Sequence, residues 1–130
     1  MSVLVDTNIC IAWLKGDKRV RDAWLELDPD ELGLSSVVRA ELLSGARHSK
    51  QVAANLRRLD VLFGAMRSVP FDAAAAGHYG LVRAQLASQG RPIGPNDLMI
   101  AATALAHDAT LVTRNETEFS RVVGLRVVAW

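Results

Sequence analysis

Short runs rich in apolar residues, none longer than five residues, alternate along this chain with longer segments of helical character. The runs predicted as strands are residues 2–5, 32–35, 66–70, 110–113 and 126–129. Strands of this length that are mostly apolar fit positions buried on both faces of a sheet. Because helices separate them, they indicate an α/β fold with a parallel sheet that is covered by helices on both sides.

Helix signals occupy the intervening segments. Helices are predicted over residues 8–15, 37–48, 51–63, 73–89, 96–107 and 116–121, with a further one after Asp17 that carries Val20, Trp24 and Leu27. Residues whose side chains can cap a helix N-terminus precede four of them: Asn8, Asp17, Ser36 and Asp72. The loop 90–95, with two glycines and two prolines, separates the helices predicted over residues 73–89 and 96–107.

Length and composition limit the class of protein. A chain of 130 residues fits one domain, residues 1–130, because longer chains are needed before a core divides. The single cysteine, Cys10, cannot form an internal disulfide and fits a reducing cytoplasm. No signal peptide or run of ~20 apolar residues is present, so we expect a soluble cytoplasmic protein. The net charge of +1 neither requires nor excludes a nucleic-acid partner.

Acidic residues stand at or just beyond the predicted junctions between strands and helices. Asp6 follows the first strand, Glu41 lies within the helix after the second, and Asp97 opens the helix after the loop 90–95. Sites in parallel sheets lie beyond the carboxyl ends of the strands, where strand order reverses. Three carboxylates can therefore meet at one rim. The alternative is that Asp6 and Asp97 only complement the N-terminal ends of helices.

Glu41 is the most informative of the three acids. Its neighbours on the same helix face are apolar or small, so it is not on an obvious solvent-exposed stripe. Arg39 and Arg47 are not three or four residues away, which is the favourable spacing for an ion pair on a helix. A charge that points inward needs a partner, and a metal ion would supply one.

A fourth polar position is predicted after the strand 110–113. Asn115 and Glu118 are the candidates, and Glu116 and Glu118 cannot both point inward because residues two apart do not share a helix face. A set of oxygen ligands suits a hard cation such as Mg²⁺. Such an ion can lower the pKa of a water molecule and neutralise charge that develops on a phosphate. The scattered histidines and the lone cysteine exclude a zinc spacing, and no phosphate-binding glycine loop or serine-nucleophile motif is present.

Four segments, in order, resemble the PIN-domain nucleases, and among them the VapC-type toxins of bacterial toxin–antitoxin pairs. They are residues 3–8 (VLVDTN), 35–42 (SSVVRAEL), 94–102 (GPNDLMIAA) and 111–119 (LVTRNETEF). The resemblance implies a Rossmann-like three-layer sandwich with a parallel five-stranded sheet. It also implies an endoribonuclease that depends on Mg²⁺ or Mn²⁺, forms a homodimer and is inhibited by a cognate antitoxin.

The resemblance also assigns residues. Asp6, Glu41 and Asp97 would be the acids that bind the metal, with Thr7 or Asn8 supporting Asp6. In the last segment we expect Glu118 to be the catalytic acid and Asn115 to be a polar supporting residue or metal ligand. Arg91 and Arg114 are not assigned by the resemblance; their placement on loops beside Asp97 and Glu118 predicts that they hold substrate phosphates, with Thr7 and Asn8 as further substrate-binding candidates.

Two other interpretations of the sequence stay open. The first is an aspartyl-phosphate phosphatase in which Asp6 is the nucleophile, although Asn8 stands where that chemistry usually has a second acid. The second is a module that binds RNA or protein without catalysis and whose acidic residues only cap helices.

Overall fold

A computed structural model describes residues 2–130 and contains a five-stranded sheet. The strands are β1 (Val3–Val5), β2 (Leu32–Ser35), β3 (Arg67–Val69), β4 (Thr110–Val112) and β5 (Val127–Val128). Each neighbouring pair is parallel, and the order across the sheet is β3-β2-β1-β4-β5. The predicted α/β class, the parallel sheet and the five strands are confirmed.

Seven helices connect these strands. They are α1 (Thr7–Leu14), α2 (Lys18–Leu25), α3 (Ser36–Arg47), α4 (Val52–Gly64), α5 (Ala73–Ser88), α6 (Pro95–Ala106) and α7 (Glu116–Phe119), with a 3-10 turn at Pro29–Glu31 before β2. Most predicted helices end within one or two residues of these limits. The largest difference is α7, which was predicted to reach residue 121 but ends at Phe119.

Side-chain caps fix where several helices begin. Asp17 and Asp72 cap α2 and α5 as predicted, by accepting hydrogen bonds from Val20 and Ala75. The predictions of Asn8 and Ser36 as caps are wrong. A capping side chain must come from the last non-helical residue so that it can reach a free amide in the first turn, and the residues in that position are Asp6 and Ser35.

The direction in which the strands are added reverses beside β1. The chain places β2 and β3 on one side of β1 and then returns to place β4 and β5 on the other side. Val3–Val5 pairs with Thr110–Val112, so the carboxyl ends of β1 and β4 lie next to each other. In open parallel sheets, this point of reversal is where ligand sites form.

Every residue of β1, β2 and β4 is buried, and the helices cover the sheet with apolar side chains. Gly33 in β2 allows close packing there, because a Cβ atom would lie 3.0 Å from Val69 Cγ2 and 3.2 Å from Leu4 Cδ2. Cys10 in α1 is also fully buried, and its amide donates to the carbonyl of Asp6. Burial raises the pKa of its thiol, and the charge of Asp6 adds to that effect.

Three tryptophans join the final residues of the sequence to the first two helices. Trp13 in α1 stacks on Trp24 in α2 with ring centroids 4.5 Å apart, and Trp130 lies 6.3 Å from Trp24. They are packing residues, because Trp24 is buried and Trp13 and Trp130 are partly buried against the core. Among residues 2–130, no helix combines the length and apolar composition needed to cross a bilayer.

Candidate active site

Asp6 lies at the point of strand reversal and is almost completely buried. One carboxylate oxygen accepts a 3.0 Å hydrogen bond from the amide of Ile9, which caps α1. The other accepts a short hydrogen bond from the hydroxyl of Thr113, the residue that follows β4. Burial raises the pKa of Asp6 and the nearby charge of Glu41 raises it further, while the hydrogen bonds oppose both effects.

Glu41 reaches the same rim from the second turn of α3. The hydroxyl of Thr7 donates to Glu41 Oε1 at 2.7 Å, across 34 residues of sequence. Glu41 is half-buried and participates in no ion pair among residues 2–130. The side chain of Glu41 points inward, as its helix face predicts, and the hydroxyl of Thr7 stabilises part of its charge.

Asp97 approaches from the first turn of α6 and has the clearest electrostatic perturbation of the four acids. Its pKa is raised to about 6, mainly by burial, and further by the negative charges of Glu118, Glu41 and Asp6. A side-chain hydrogen bond with Glu118 adds to this effect. The carboxylates thus lie close enough for the charges of the other three to act on Asp97.

Glu118 is held in place by two donors. The side-chain amide of Asn115 donates to Glu118 Oε2 at 2.9 Å, and the backbone amide of Gly94 approaches Oε1 at 3.4 Å. Glu118 is half-buried while Glu116 is exposed, so only one of these acids faces the cluster, as the helix spacing requires. Asn115 therefore contacts the cluster through Glu118.

The oxygen-only character of this cluster fits a hard divalent cation such as Mg²⁺ or Mn²⁺. Among residues 2–130, no lysine or arginine is bonded to any of the four carboxylates, and the repulsion between them contributes to the raised pKa of Asp97. Within residues 2–130, no three acidic, histidine or cysteine side chains are already close enough to hold an ion. Binding would therefore require side-chain rotations that bring the carboxylate oxygens together.

The residues predicted to contact substrate are placed differently from one another. Thr7 is bonded to Glu41, and Asn8 is exposed in the first turn of α1. Arg91 is exposed on the loop between α5 and α6. Arg114 contacts the carbonyl of Trp130 at 3.0 Å and Asp17 at 2.9 Å, so its guanidinium is engaged outside the acidic cluster.

Thr113 is the residue of this site that sequence reasoning missed. It was placed at the end of a predicted strand and given no role, yet it is fully buried and bonded to Asp6. A signal was present, because a polar residue directly after a strand is the same feature that pointed to Asp6. The sequence does not reveal that β1 and β4 are neighbours, and the two residues become partners only through that pairing.

Comparison with known proteins places this chain in a family. The PIN domain profile matches residues 3–125. The chain belongs to the PIN-domain family. Across its whole length this PIN domain is 39% identical to the tRNA(fMet)-specific endonuclease VapC of Shigella flexneri and 36% identical to ribonuclease VapC2 of Rickettsia felis, covering 98% of each.

Solved structures agree with the family assignment. The PIN domain superposes on VapBC2 from Rickettsia felis, bound to a DNA fragment from its promoter, with a TM-score of 0.93 and 37% identity. It superposes on DNA-bound VapBC from Salmonella typhimurium with a TM-score of 0.94 and 34% identity. Both comparisons cover 100% of this chain. They cover 99% of the Rickettsia felis chain and 98% of the Salmonella typhimurium chain. The predicted resemblance is confirmed.

Proposed function

We propose that this PIN domain is an endoribonuclease that hydrolyses RNA phosphodiester bonds with the help of Mg²⁺ or Mn²⁺. The observation that carries the proposal is the convergence of Asp6, Glu41 and Glu118 on Asp97, whose pKa they help to raise to about 6. Carboxylates that repel one another at a sheet's point of strand reversal are suited to a cation. The ribonuclease and endonuclease names of the relatives favour RNA as the substrate.

The residues divide into ligands and supports. Asp6, Glu41, Asp97 and Glu118 would hold the metal, which supplies a Lewis acid that lowers the pKa of water and neutralises charge on the phosphate. Thr113 fixes the orientation of the Asp6 carboxylate, and Thr7 does the same for Glu41. Asn115 directs Glu118 toward Asp97 and is a support rather than a ligand in this proposal.

The phosphatase alternative is disfavoured by the surroundings of Asp6. Its side chain is only 5% exposed, and both of its oxygens accept hydrogen bonds. A nucleophilic oxygen needs open space for an in-line approach to phosphorus, which a carboxylate buried to this degree lacks, whereas a metal ligand needs only one free lone pair on an oxygen. The purely structural alternative is disfavoured by Glu41 and Glu118, since neither caps a helix, although Asp6 does.

We also propose that the chain is the toxin of a toxin–antitoxin pair, because solved relatives are VapBC complexes. An apolar groove of about 360 Å³ lies between α1, α3 and α4, directly beside Thr7 and Glu41. Ile11 and Leu14 line it, with Lys15 and Arg58 among its polar residues. An antitoxin segment with apolar side chains and an acidic residue would fit this groove and cover the acidic cluster.

Charge placed in the groove tests this partner assignment. Ile11→Glu should abolish co-purification with the co-expressed cognate antitoxin, because the new carboxylate cannot be desolvated against an apolar segment. Val61→Glu, at an exposed apolar position of α4 that does not line the groove, is the matched control and should retain the complex. Equal retention by both variants would remove the groove from the interface.

A homodimer belongs to the same proposal and is supported by the family resemblance. Light scattering on the antitoxin-free protein measures its mass directly. A mass of one chain across the micromolar range would contradict this part of the proposal and leave the ribonuclease assignment unchanged.

The principal experiment measures RNA cleavage by antitoxin-free protein with Mg²⁺, with Mn²⁺ and with EDTA. Total cellular RNA and initiator tRNA are the substrates, the second because two relatives are named tRNA(fMet)-specific endonucleases. Asp6→Asn removes a proposed ligand, and Asp60→Asn, at an exposed position of α4, makes the same change outside the site. Cleavage that needs the metal, persists in Asp60→Asn and disappears in Asp6→Asn supports the proposal. Folded wild-type protein that neither cuts RNA nor is stabilised by Mg²⁺ contradicts it.

A further inference from the structure

A second pocket lies beside the acidic cluster and has no part in holding a metal. It has a volume of about 260 Å³ and is formed where the last turns of α5 meet the loop 92–95. Tyr79 and Arg83 supply its polar groups, and Leu86, Ile93 and Leu98 form its apolar walls. It is smaller than the pockets that bind drug-sized molecules, which suits a single flat ring.

The pocket and the acidic cluster share one loop. Pro92, Ile93 and Pro95 line the pocket, while the neighbouring amide of Gly94 approaches Glu118. Asp97 follows Pro95 by two residues in the first turn of α6. The loop 92–95 therefore forms one wall of the pocket and also contacts an acid of the cluster, and the exposed Arg91 lies at the start of the same loop.

The chemistry of the walls matches a nucleobase. The ring of Tyr79 is fixed by an edge-on contact with Phe71, at 6.2 Å and 87°. The Arg83 guanidinium lies 5.9 Å from the Tyr79 ring centroid and donates to its hydroxyl at 3.0 Å. Proteins that read RNA stack splayed-out bases on aromatic rings and on guanidinium planes, and hydrogen-bond their edges.

We propose that this pocket binds one base of the RNA next to the bond that is cut, and that the base is guanine. The inference rests on the proposed ribonuclease function. Arginine has donors only, and it most often recognises guanine through the acceptors O6 and N7. Arg83 uses Nη1 on Tyr79, so its remaining N–H groups are available for the base. Tyr79 and Arg83 would then be specificity residues of the enzyme.

Binding of mononucleotides tests the pocket without any cleavage. Tyr79 is the single tyrosine of the chain, so its ring resonances report on this pocket alone. In EDTA, titration with guanosine monophosphate should shift these resonances, and adenosine, cytidine and uridine monophosphates should shift them less. Arg83→Ala should weaken the response to guanosine monophosphate, and Arg57→Ala, an exposed arginine of α4, should not.

Cleavage of an RNA pool with randomised positions tests the consequence for specificity. Wild-type protein and Arg57→Ala should show a guanine preference at one position beside the cut. Tyr79→Leu and Arg83→Ala should lose that preference, with a fall in kcat/KM of about five- to a hundred-fold, the range found when a stacking or base-reading contact is removed. Tyr79→Phe should retain stacking, and wild-type circular dichroism spectra and melting temperatures of Tyr79→Leu and Arg83→Ala exclude misfolding as the cause of their loss.

The two experiments separate failure of this inference from failure of the ribonuclease assignment. Tyr79 resonances that no nucleotide moves, or active Arg83→Ala with unchanged base preference, would overturn the pocket as a base site. A shift of Tyr79 by guanosine monophosphate in a protein that cuts no RNA would support the pocket and contradict the proposed catalytic function.

Discussion

The two halves of the acidic cluster are held in different ways. Asp6 and Glu41 each accept a hydrogen bond from a threonine hydroxyl that a different part of the chain supplies, Thr113 and Thr7. Asp97 and Glu118 instead face each other and share a hydrogen bond, and the pKa of Asp97 is raised to about 6. Asp6 and Glu41 are therefore oriented by the fold before a ligand binds. Asp97 and Glu118 repel each other more strongly, and a bound cation would relieve that repulsion.

The largest expected effect comes from removing charge in the second half. Asp97→Asn should lower the cleavage rate by about 10³-fold, because a lost metal ligand costs several kcal/mol of transition-state stabilisation. Without metal its melting temperature should be unchanged or higher, since a repulsive charge is gone. Calorimetry and RNA cleavage measure both, with Asp60→Asn as the control, and retained cleavage would contradict the site assignment.

The next effect concerns the first half. Thr113→Val keeps the shape of the side chain but leaves the buried Asp6 without one donor, so activity or metal affinity should fall about 10- to 100-fold. Thr7→Val should cost less, because Glu41 is half-buried and water can replace the lost hydroxyl. Mg²⁺ titrations of both variants give the comparison. A larger loss of Mg²⁺ affinity in Thr7→Val than in Thr113→Val would show that the burial of the carboxylate does not determine how much its threonine donor contributes.

The pH dependence sharpens the contrast between the halves. The folded-state pKa of Asp97, about 6, lies above its ordinary value of 3.8, so its contribution to stability is present below pH 3.8 and is lost as pH rises through 6. A cation must displace that proton. Mg²⁺ affinity should therefore fall by up to about tenfold per pH unit below pH 6, and Asp97→Asn should flatten the dependence.

Thermal shift with and without Mg²⁺, from pH 5 to pH 8, measures this linkage. The metal-free protein should lose stability across the interval around pH 6, and saturating Mg²⁺ should reverse that trend. An Asp97→Asn variant with the same pH profile as wild type would assign the titration to another group.

The smallest effect is expected from the support of Glu118. Asn115→Ala removes its 2.9 Å hydrogen bond, but the amide of Gly94 still approaches the other oxygen. Because the amide of Gly94 still orients the Glu118 carboxylate in part, kcat should fall only a few-fold. Loss of a complete supporting contact to a metal ligand typically costs at least ~10-fold. Steady-state kinetics measure this value, and a loss as large as that of Asp97→Asn would make Asn115 a metal ligand.

Sequence alone predicted the parts of this molecule that local chemistry determines. The short strands, the helix limits and the positions of Asp6, Glu41 and Asp97 follow from apolar runs and from the polar residues that end them. The alternation of five short apolar runs with helices predicted the parallel sheet, and the resemblance to PIN domains implied the same five strands. Capping was predicted where one residue dominates, as at Asp17 and Asp72, and failed where adjacent polar residues compete, as at Ser35 and Ser36.

What the sequence could not provide depends on distant pairing. The hydrogen bond between Asp6 and Thr113 joins residues 107 apart, and it exists because β4 enters the sheet beside β1. The engagement of Arg114 by Asp17 and Trp130 likewise needs the terminal strand in place. Local propensity carries no information about such contacts, so the sequence did not show that Arg114, which is predicted to bind phosphate, also bonds to Asp17 and Trp130.

Because Cys10 is buried, the rate at which its thiol is alkylated can report on motions of the structure beneath the acidic cluster. The thiol is the single one in the chain, its pKa is raised, and its amide is bonded to the carbonyl of Asp6. An alkylating reagent can reach it only when α1 separates from the sheet. The labelling rate of Cys10 therefore measures how often α1 separates from the sheet beneath the acidic cluster. A lower rate after adding Mg²⁺, antitoxin or RNA shows how strongly that ligand suppresses this opening.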